Sequence, residues 1–138
     1  MIQSHYHALI DALSRKLKAT PALASLLRSQ FTTQVSASLH APYGLYESVS
    51  ARDLSLDGES CMELTLQLHI VTDGTHIGQA EYGAELALVA LKDRQLTLER
   101  PYRCVDLWIE KLSFARPKGP TNRATLQLKA IVETLNGV

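Results

Sequence analysis

Apolar residues in the first part of the chain recur at helical spacing. One stripe of this predicted helix is formed by Ile2, Tyr6, Leu9, Ile10, Leu13 and Leu17. Lys16 and Lys18 lie in its last turn, where cations complement the helix dipole. Thr20 and Pro21 then predict a short second helix, in which they serve as N-cap and first helical residue, and which ends near Arg28.

Between residues 31 and 73 the spacing changes to that of strands. Apolar and polar positions alternate over residues 31–39, and after Pro42, which cannot donate to a ladder, the chain is extended again over 43–51. The clearest strand covers residues 62–71, where one side is apolar and the other polar. This alternation predicts an antiparallel sheet with one face in water. Turns are predicted at Asp57-Gly58 and at Asp73-Gly74-Thr75.

The second half of the chain predicts one long helix and three more strands. The helix covers residues 77–91, with a buried stripe of Ile77, Ala80, Ala84, Ala87, Leu88 and Leu91. A short strand is predicted at residues 96–98, and two longer ones over 104–115 and 123–133, joined by a turn at 116–121. The predicted fold class is α+β: a mainly antiparallel sheet with an N-terminal helix and one long helix packed on one side.

The composition favours one globular domain over residues 1–138. Of the 138 residues, 46% are hydrophobic and 20% charged, and 14 basic side chains balance 14 acidic ones. There is no basic excess typical of sequence-specific nucleic-acid binders, and no apolar run long enough for a membrane span. The first residues are too polar for a secretory signal. Cys61 and Cys104 lie far apart and outside any CxxC pattern, which predicts buried, reduced thiols.

The sequence contains none of the short motifs that carry catalysis or metal binding. HExxH, CxxC, GxSxG and the phosphate-binding glycine loops do not occur. His5 and His7 are two residues apart on a helix and point in different directions, while His69 and His76 flank a turn without further ligands nearby. We expect these histidines to be solvated or to lie on a strand face. No catalytic residue, metal or cofactor is expected.

Charge is segregated along the chain although it sums to zero. Residues 1–40 carry four basic residues and one acidic, residues 41–92 two basic and eight acidic, and residues 93–138 eight basic and five acidic. Blocks of opposite sign can present complementary faces to copies of the same protein. Alternatively, the blocks interleave in the fold and neutralise one another locally.

The order of elements resembles that of the small phage tail-completion proteins, also called tail terminators, of tailed phages and gene transfer agents. The features that carry the resemblance are the leading helix with residues 20–27, Pro42-Tyr43, the alternating strand 64–70, the alanine-rich helix 78–91 and the final hairpin. Together they cover nearly the whole chain. The segment of residues 31–60 is longer and more polar than the corresponding segment expected for this family.

The resemblance implies a structural virion protein rather than an enzyme. Members of this family form rings, typically hexameric, that cap the tail tube and offer the opposite face to the head connector. The implied partners are further copies of this chain, the tail tube protein and the head connector protein, with no membrane; DNA could pass through the ring without sequence-specific contact. The protein would assemble in the bacterial host cytoplasm and reside in the tail or neck. The alternatives are a small α+β enzyme or ligand-binding domain, and another tail component such as a tube subunit.

Charged side chains are the predicted contacts between ring subunits. A ring needs a heterologous interface, in which two different patches of one subunit meet on neighbours. We expect Glu81 and Glu85 of the long helix to face arginines of the next subunit, and the turn at 116–121 to make a further contact. The predicted interaction residues are Glu81, Glu85, Arg94, Arg100, Arg103, Arg116 and Lys118.

Overall fold

The computed structural model describes residues 2–55, 60–74, 78–115 and 121–135. Its helices are α1 (Ile2–Lys18), α2 (Pro21–Leu26) and α3 (Gln79–Ala90). Its strands are β1 (Phe31–Thr32), β2 (Tyr43–Asp53), β3 (Cys61–Asp73), β4 (Tyr102–Ala115) and β5 (Thr121–Thr134). The predicted α+β class is confirmed. Within the described ranges, no helix has both the length and the apolar character needed to cross a bilayer.

The strands form one sheet in the order β1-β2-β3-β5-β4. All pairs are antiparallel except β1 and β2, where the two residues of β1 run parallel to β2 opposite Gly44 and Leu45. β3 and β5 form the centre and are paired along their whole length. One edge of the sheet is therefore β4, and the other is β2 with the short β1 beside it.

The apolar face of the sheet carries the helices. Its buried residues alternate along the two central strands as the sequence predicts: Leu64, Leu66, Leu68 and Ile70 on β3, and Ala124, Leu126, Leu128, Ala130 and Val132 on β5. Leu66 is fully buried near the middle of the sheet, opposite Ser48 on β2 and Leu128 on β5. Helix α1 contributes Tyr6, Leu9, Leu13 and Leu17 to the same core.

Helix α3 packs closely on the sheet because its inward residues are small, namely Ala80, Gly83, Ala84 and Ala87. A β-carbon placed on Gly83 would lie 2.8 Å from Cγ2 of Ile70 and 3.0 Å from Cδ2 of Leu26. Leu88 was predicted to be buried with this stripe, but it is 40% exposed. At about 100° per residue, Leu88 lies about 140° around the helix from Gly83, on the side where the sheet ends at β4.

The strand predicted over residues 31–39 is much shorter than its alternating pattern suggested, because only Phe31 and Thr32 pair with β2. The next residues form local hydrogen bonds instead. The Thr32 hydroxyl accepts from the amide of Gln34 at 3.1 Å and donates to its carbonyl at 2.9 Å. Short polar side chains of this kind give the backbone an alternative to the ladder.

The strand predicted at residues 96–98 is not formed, so the described part of the chain holds five strands rather than six. The segment packs along α1 instead. Lys16 donates to the carbonyl of Gln95 and Arg15 to that of Thr97, and Leu98 is buried. The turns predicted at Asp57-Gly58 and at 116–120 lie outside the described residues.

Candidate interaction surfaces

Helix α3 presents acidic and apolar side chains to solvent. Glu81 and Glu85 are exposed, and neither takes part in an ion pair with another described residue. Their neighbours on the outer side of the helix, Tyr82 and Val89, are 51% and 70% exposed. An exposed apolar cluster of this kind marks a contact site more often than an isolated apolar residue does.

A groove of about 390 Å³ separates the end of α3 from the edge strand β4. Leu88 and Val89 line it from the helix, and Trp108 and Ile109 from the strand. Further along β4, Phe114 lies opposite the buried Ala124 and is 51% exposed. We call Glu81, Glu85, Leu88, Val89, Trp108 and Phe114 the α3–β4 surface.

Arg94 is held at the rim of this groove by contacts within the chain. Its Nε lies 2.9 Å from Oδ1 of Asp106 and its Nη2 2.5 Å from Oδ2. The guanidinium carbon lies 5.8 Å from the centroid of the Trp108 ring. The hydrogen bond from Arg94 lowers the pKa of Asp106 below its usual value. This bidentate pair keeps the rim of the groove fixed.

The other predicted cations are distributed differently. Arg103 pairs with Glu133 at 2.6 Å, whereas Arg100 is exposed and in no described ion pair. Arg116 and Lys118 lie outside the described residues. Whether these side chains and the two glutamates of α3 contact a neighbouring subunit stays a prediction.

The charge blocks are partly neutralised within the fold. Lys129 of the last block lies 3.6 Å from Glu63 of the acidic block, and it lies equally far from Glu110 of its own block. Part of the charge thus cancels locally, as the alternative interpretation of the blocks expected. The carboxylates of α3 do not share in this cancellation.

Two exposed cations and two exposed valines lie on or near the opposite edge of the sheet. Residues 17–46 include Lys18 and Arg28 and no acidic residue. Both cations are exposed and belong to no described ion pair. Val35 is 58% exposed and Val49, on β2, 50%. We call Lys18, Arg28, Val35 and Val49 the β1–β2 edge.

The face of the sheet away from the helices is a network of polar side chains. His69 is buried there, with Nδ1 2.7 Å from the Thr125 hydroxyl and Nε2 3.3 Å from a Glu47 carboxylate oxygen. Burial lowers the pKa of His69, and Glu47 partly offsets this. Gln67 and Gln127 are joined at 3.2 Å in the next row. His69 therefore lies on a strand face, as the sequence predicted.

The prediction for His5 is wrong, because this side chain is only 5% exposed. Its Nε2 lies 3.3 Å from the hydroxyls of Ser60 and Thr134, and its ring meets the edge of Tyr102 with centroids 4.9 Å apart. One helical turn from Leu9, His5 falls beside the apolar stripe of α1, and this spacing is the sequence signal that could have placed it inside.

The two cysteines are half-buried and are not joined in a disulfide. Cys61 on β3 and Cys104 on β4 are separated by β5, or about 10 Å at the usual strand spacing, which exceeds the about 7 Å that a disulfide allows between α-carbons. Burial raises the pKa of Cys104 to about 11, so its thiol is protonated near neutral pH. Within the described ranges, no three histidine, cysteine or acidic side chains converge as metal ligands would.

The fold recurs in a virion particle. One chain of a solved structure described as the virion of a native gene transfer agent particle superposes with a TM-score of 0.80 and 24% sequence identity. The match covers 94% of this chain and 97% of that one. It therefore concerns the complete fold rather than a shared sheet motif. No curated protein sequence matches the chain.

Fold and exposed surfaces together define a small α+β protein with exposed apolar side chains at or near both edges of its sheet. The model of the family described as tail completion protein gp17 matches residues 11–133. The chain belongs to this family of tail completion proteins. It is therefore a structural protein of the phage tail and not an enzyme, and it resides in the tail or neck of the virion, as the sequence predicted.

Proposed function

We propose that the protein forms a ring that caps the tail tube and joins it to the head connector. Membership of the tail completion family is the observation that carries this proposal. The shape of the subunit supports it, because exposed apolar and charged side chains lie at both edges of the sheet. Closed rings require two unlike patches on different sides of one subunit.

In such a ring, different parts of the subunit would bind the neighbouring subunits, the tail tube and the head connector. The sheet edges would hold neighbouring subunits together, and the two remaining ends would meet the tube and the connector. DNA would pass through the centre without sequence-specific contacts. We propose a hexamer in which Glu81 and Glu85 contact the neighbouring subunit. The other predicted interaction residues, Arg94, Arg100, Arg103, Arg116 and Lys118, would contact a neighbouring subunit, the tube or the connector.

Loss of a terminator should produce tails of uncontrolled length. We expect tails assembled without this protein to be overlong and heads assembled in parallel to remain tailless, because nothing stops tube growth or offers a joint. Electron microscopy of particles from a deletion strain measures both effects. Adding the purified protein to separate heads and tails should restore joining.

A tube subunit would give a different result. Deletion would then leave no tubes at all, since the tube would lack its building block. Tails of normal length that are joined to heads in the deletion strain would contradict the proposed function outright. Bovine serum albumin at the same concentration serves as the control for the addition experiment.

A further inference from the structure

We propose that the α3–β4 surface of one subunit binds the β1–β2 edge of the next copy of this chain. The inference rests on the proposed ring and names the two patches that build it. The two surfaces lie at opposite ends of the strand order, with β3 and β5 between β2 and β4. One subunit can therefore engage a neighbour on each side at once, which is the condition for a head-to-tail ring.

The distribution of exposed apolar side chains supports this pairing. Most of the large ones in the described ranges lie on α3 or β4: Tyr82, Leu88, Val89, Val105 and Phe114. Val49 lies on β2 and Val35 follows β1 by three residues, while Leu135 is outside both surfaces. Apolar residues that a monomer leaves in water at two opposite edges are covered when copies meet edge to edge.

Charge is complementary across the same contact. Residues 78–91 contain Glu81 and Glu85 and no basic residue, whereas residues 17–46 contain Lys18 and Arg28 and no acidic one. Lys18 lies one helical turn after Ser14, whose hydroxyl is 3.0 Å from that of Tyr46 on β2, and Arg28 lies three residues before the start of β1. Both cations thus belong to the edge that would face the glutamates.

The arginines after α3 are less suited to this role. Arg94 is held by Asp106 and Arg103 by Glu133. Arg94 also lines the same groove as Leu88 and Val89, so it lies on the acidic side of the proposed contact rather than opposite it. Lys18 and Arg28 have no such partner among the described residues and can pair with a neighbour without breaking an existing contact.

The contact should depend on side chains rather than on backbone pairing between edges. The register of β2 slips between Ser48 and Ser50, and that of β4 slips between Cys104 and Asp106 and again between Ile109 and Lys111. Bulges at edge strands interrupt the row of donors and acceptors that another strand would need. Apolar contacts would supply most of the affinity, while the charges set register and association rate.

Cysteine cross-linking tests the geometry. In a Cys61→Ala/Cys104→Ala background, Val89→Cys is combined with Val35→Cys or with Val49→Cys, and each single variant serves as control. Oxidation should convert at least one double variant into a ladder of covalent oligomers and leave every single variant monomeric. A disulfide within one subunit would leave a double variant monomeric, so only a contact between subunits produces the ladder.

Charge exchange tests the same contact with the native cysteines in place. Glu81→Lys/Glu85→Lys should weaken self-association by about fivefold or more, and Lys18→Glu/Arg28→Glu should restore it when combined with the first pair. Glu99→Lys, an exposed acidic residue outside both surfaces, is the matched control and should have no effect. Circular dichroism confirms that each variant is folded.

Five results would overturn the inference. A covalent dimer of the Val89→Cys single variant would indicate that like surfaces meet. If self-association of Glu81→Lys/Glu85→Lys were restored by Arg100→Glu/Arg103→Glu and not by Lys18→Glu/Arg28→Glu, the glutamates would pair with the arginines after α3. If Glu81→Lys/Glu85→Lys still formed oligomers but no longer joined tails, the α3–β4 surface would bind another virion protein rather than the next subunit. If the wild type is oligomeric but shows neither the ladder nor the charge dependence, the pairing of these two surfaces is wrong and the proposed ring still stands. If the wild type is a monomer that fails to join tails, both the pairing and the ring are wrong.

Discussion

Leu66→Ala should lower the free energy of unfolding by about 2–5 kcal/mol. Leu66 is fully buried on β3, and strands on both sides hold the sheet in place around it. The neighbouring backbone cannot collapse into the space that the lost atoms leave, so the cost of the cavity adds to that of the lost burial. Urea denaturation followed by circular dichroism measures this change.

Leu135→Ala provides the matched control, because it removes the same atoms from a side chain that is 39% exposed at the end of β5. We expect a change of less than about 1 kcal/mol there. Small domains have only about 5–15 kcal/mol of stability in total. The difference between the two variants is a large share of that total, so denaturation should distinguish them. Equal losses in both would contradict the described packing of the sheet.

Gly83→Val should destabilise the protein by about 1–3 kcal/mol even though valine favours helices slightly more than glycine does. The first added carbon would already lie within 3.0 Å of both Ile70 and Leu26. Either the helix must move away from the sheet or α2 must shift, and both expose core residues. The midpoint of thermal unfolding is the measurement.

Tyr82→Val introduces the same branched side chain at the adjacent helical position, which is 51% exposed. Because valine is smaller than the half-exposed tyrosine that it replaces, it creates no clash, and the change should stay within about 0.5 kcal/mol. A Gly83→Val variant as stable as the wild type would show that α3 is not held close to the sheet.

Strong periodicity in the sequence was sufficient to predict most of the elements. The stripe of α1, the alternation that predicted β3 and the final hairpin were all confirmed, because burial on one face imposes a period that local effects do not disturb. The alanines predicted to be buried on α3, Ala80, Ala84 and Ala87, are buried as well. These signals are repeated several times within each element, so single exceptions do not hide them.

Two of the wrong predictions share a cause, which is that neighbouring elements decided the outcome. Residues 96–98 alternate like a strand, yet side chains of α1 bind their carbonyls. Leu88 has the spacing of a buried residue, but the sheet ends beneath it. The β1–β2 edge was missed as a surface because Lys18, Arg28, Val35 and Val49 are scattered in the sequence and only the fold brings them to one side.

The mass of the purified protein in solution tests the ring most directly. Light scattering coupled to size-exclusion chromatography, in low salt and at tens of micromolar, should give one species at six times the 15.2 kDa of the chain. Raising the salt from about 0.05 to 0.5 M shortens the screening length from roughly 14 to 4 Å and should shift this species toward smaller masses. A 15.2 kDa monomer at every salt concentration, which also fails to bind isolated tail tubes, would contradict the proposed ring.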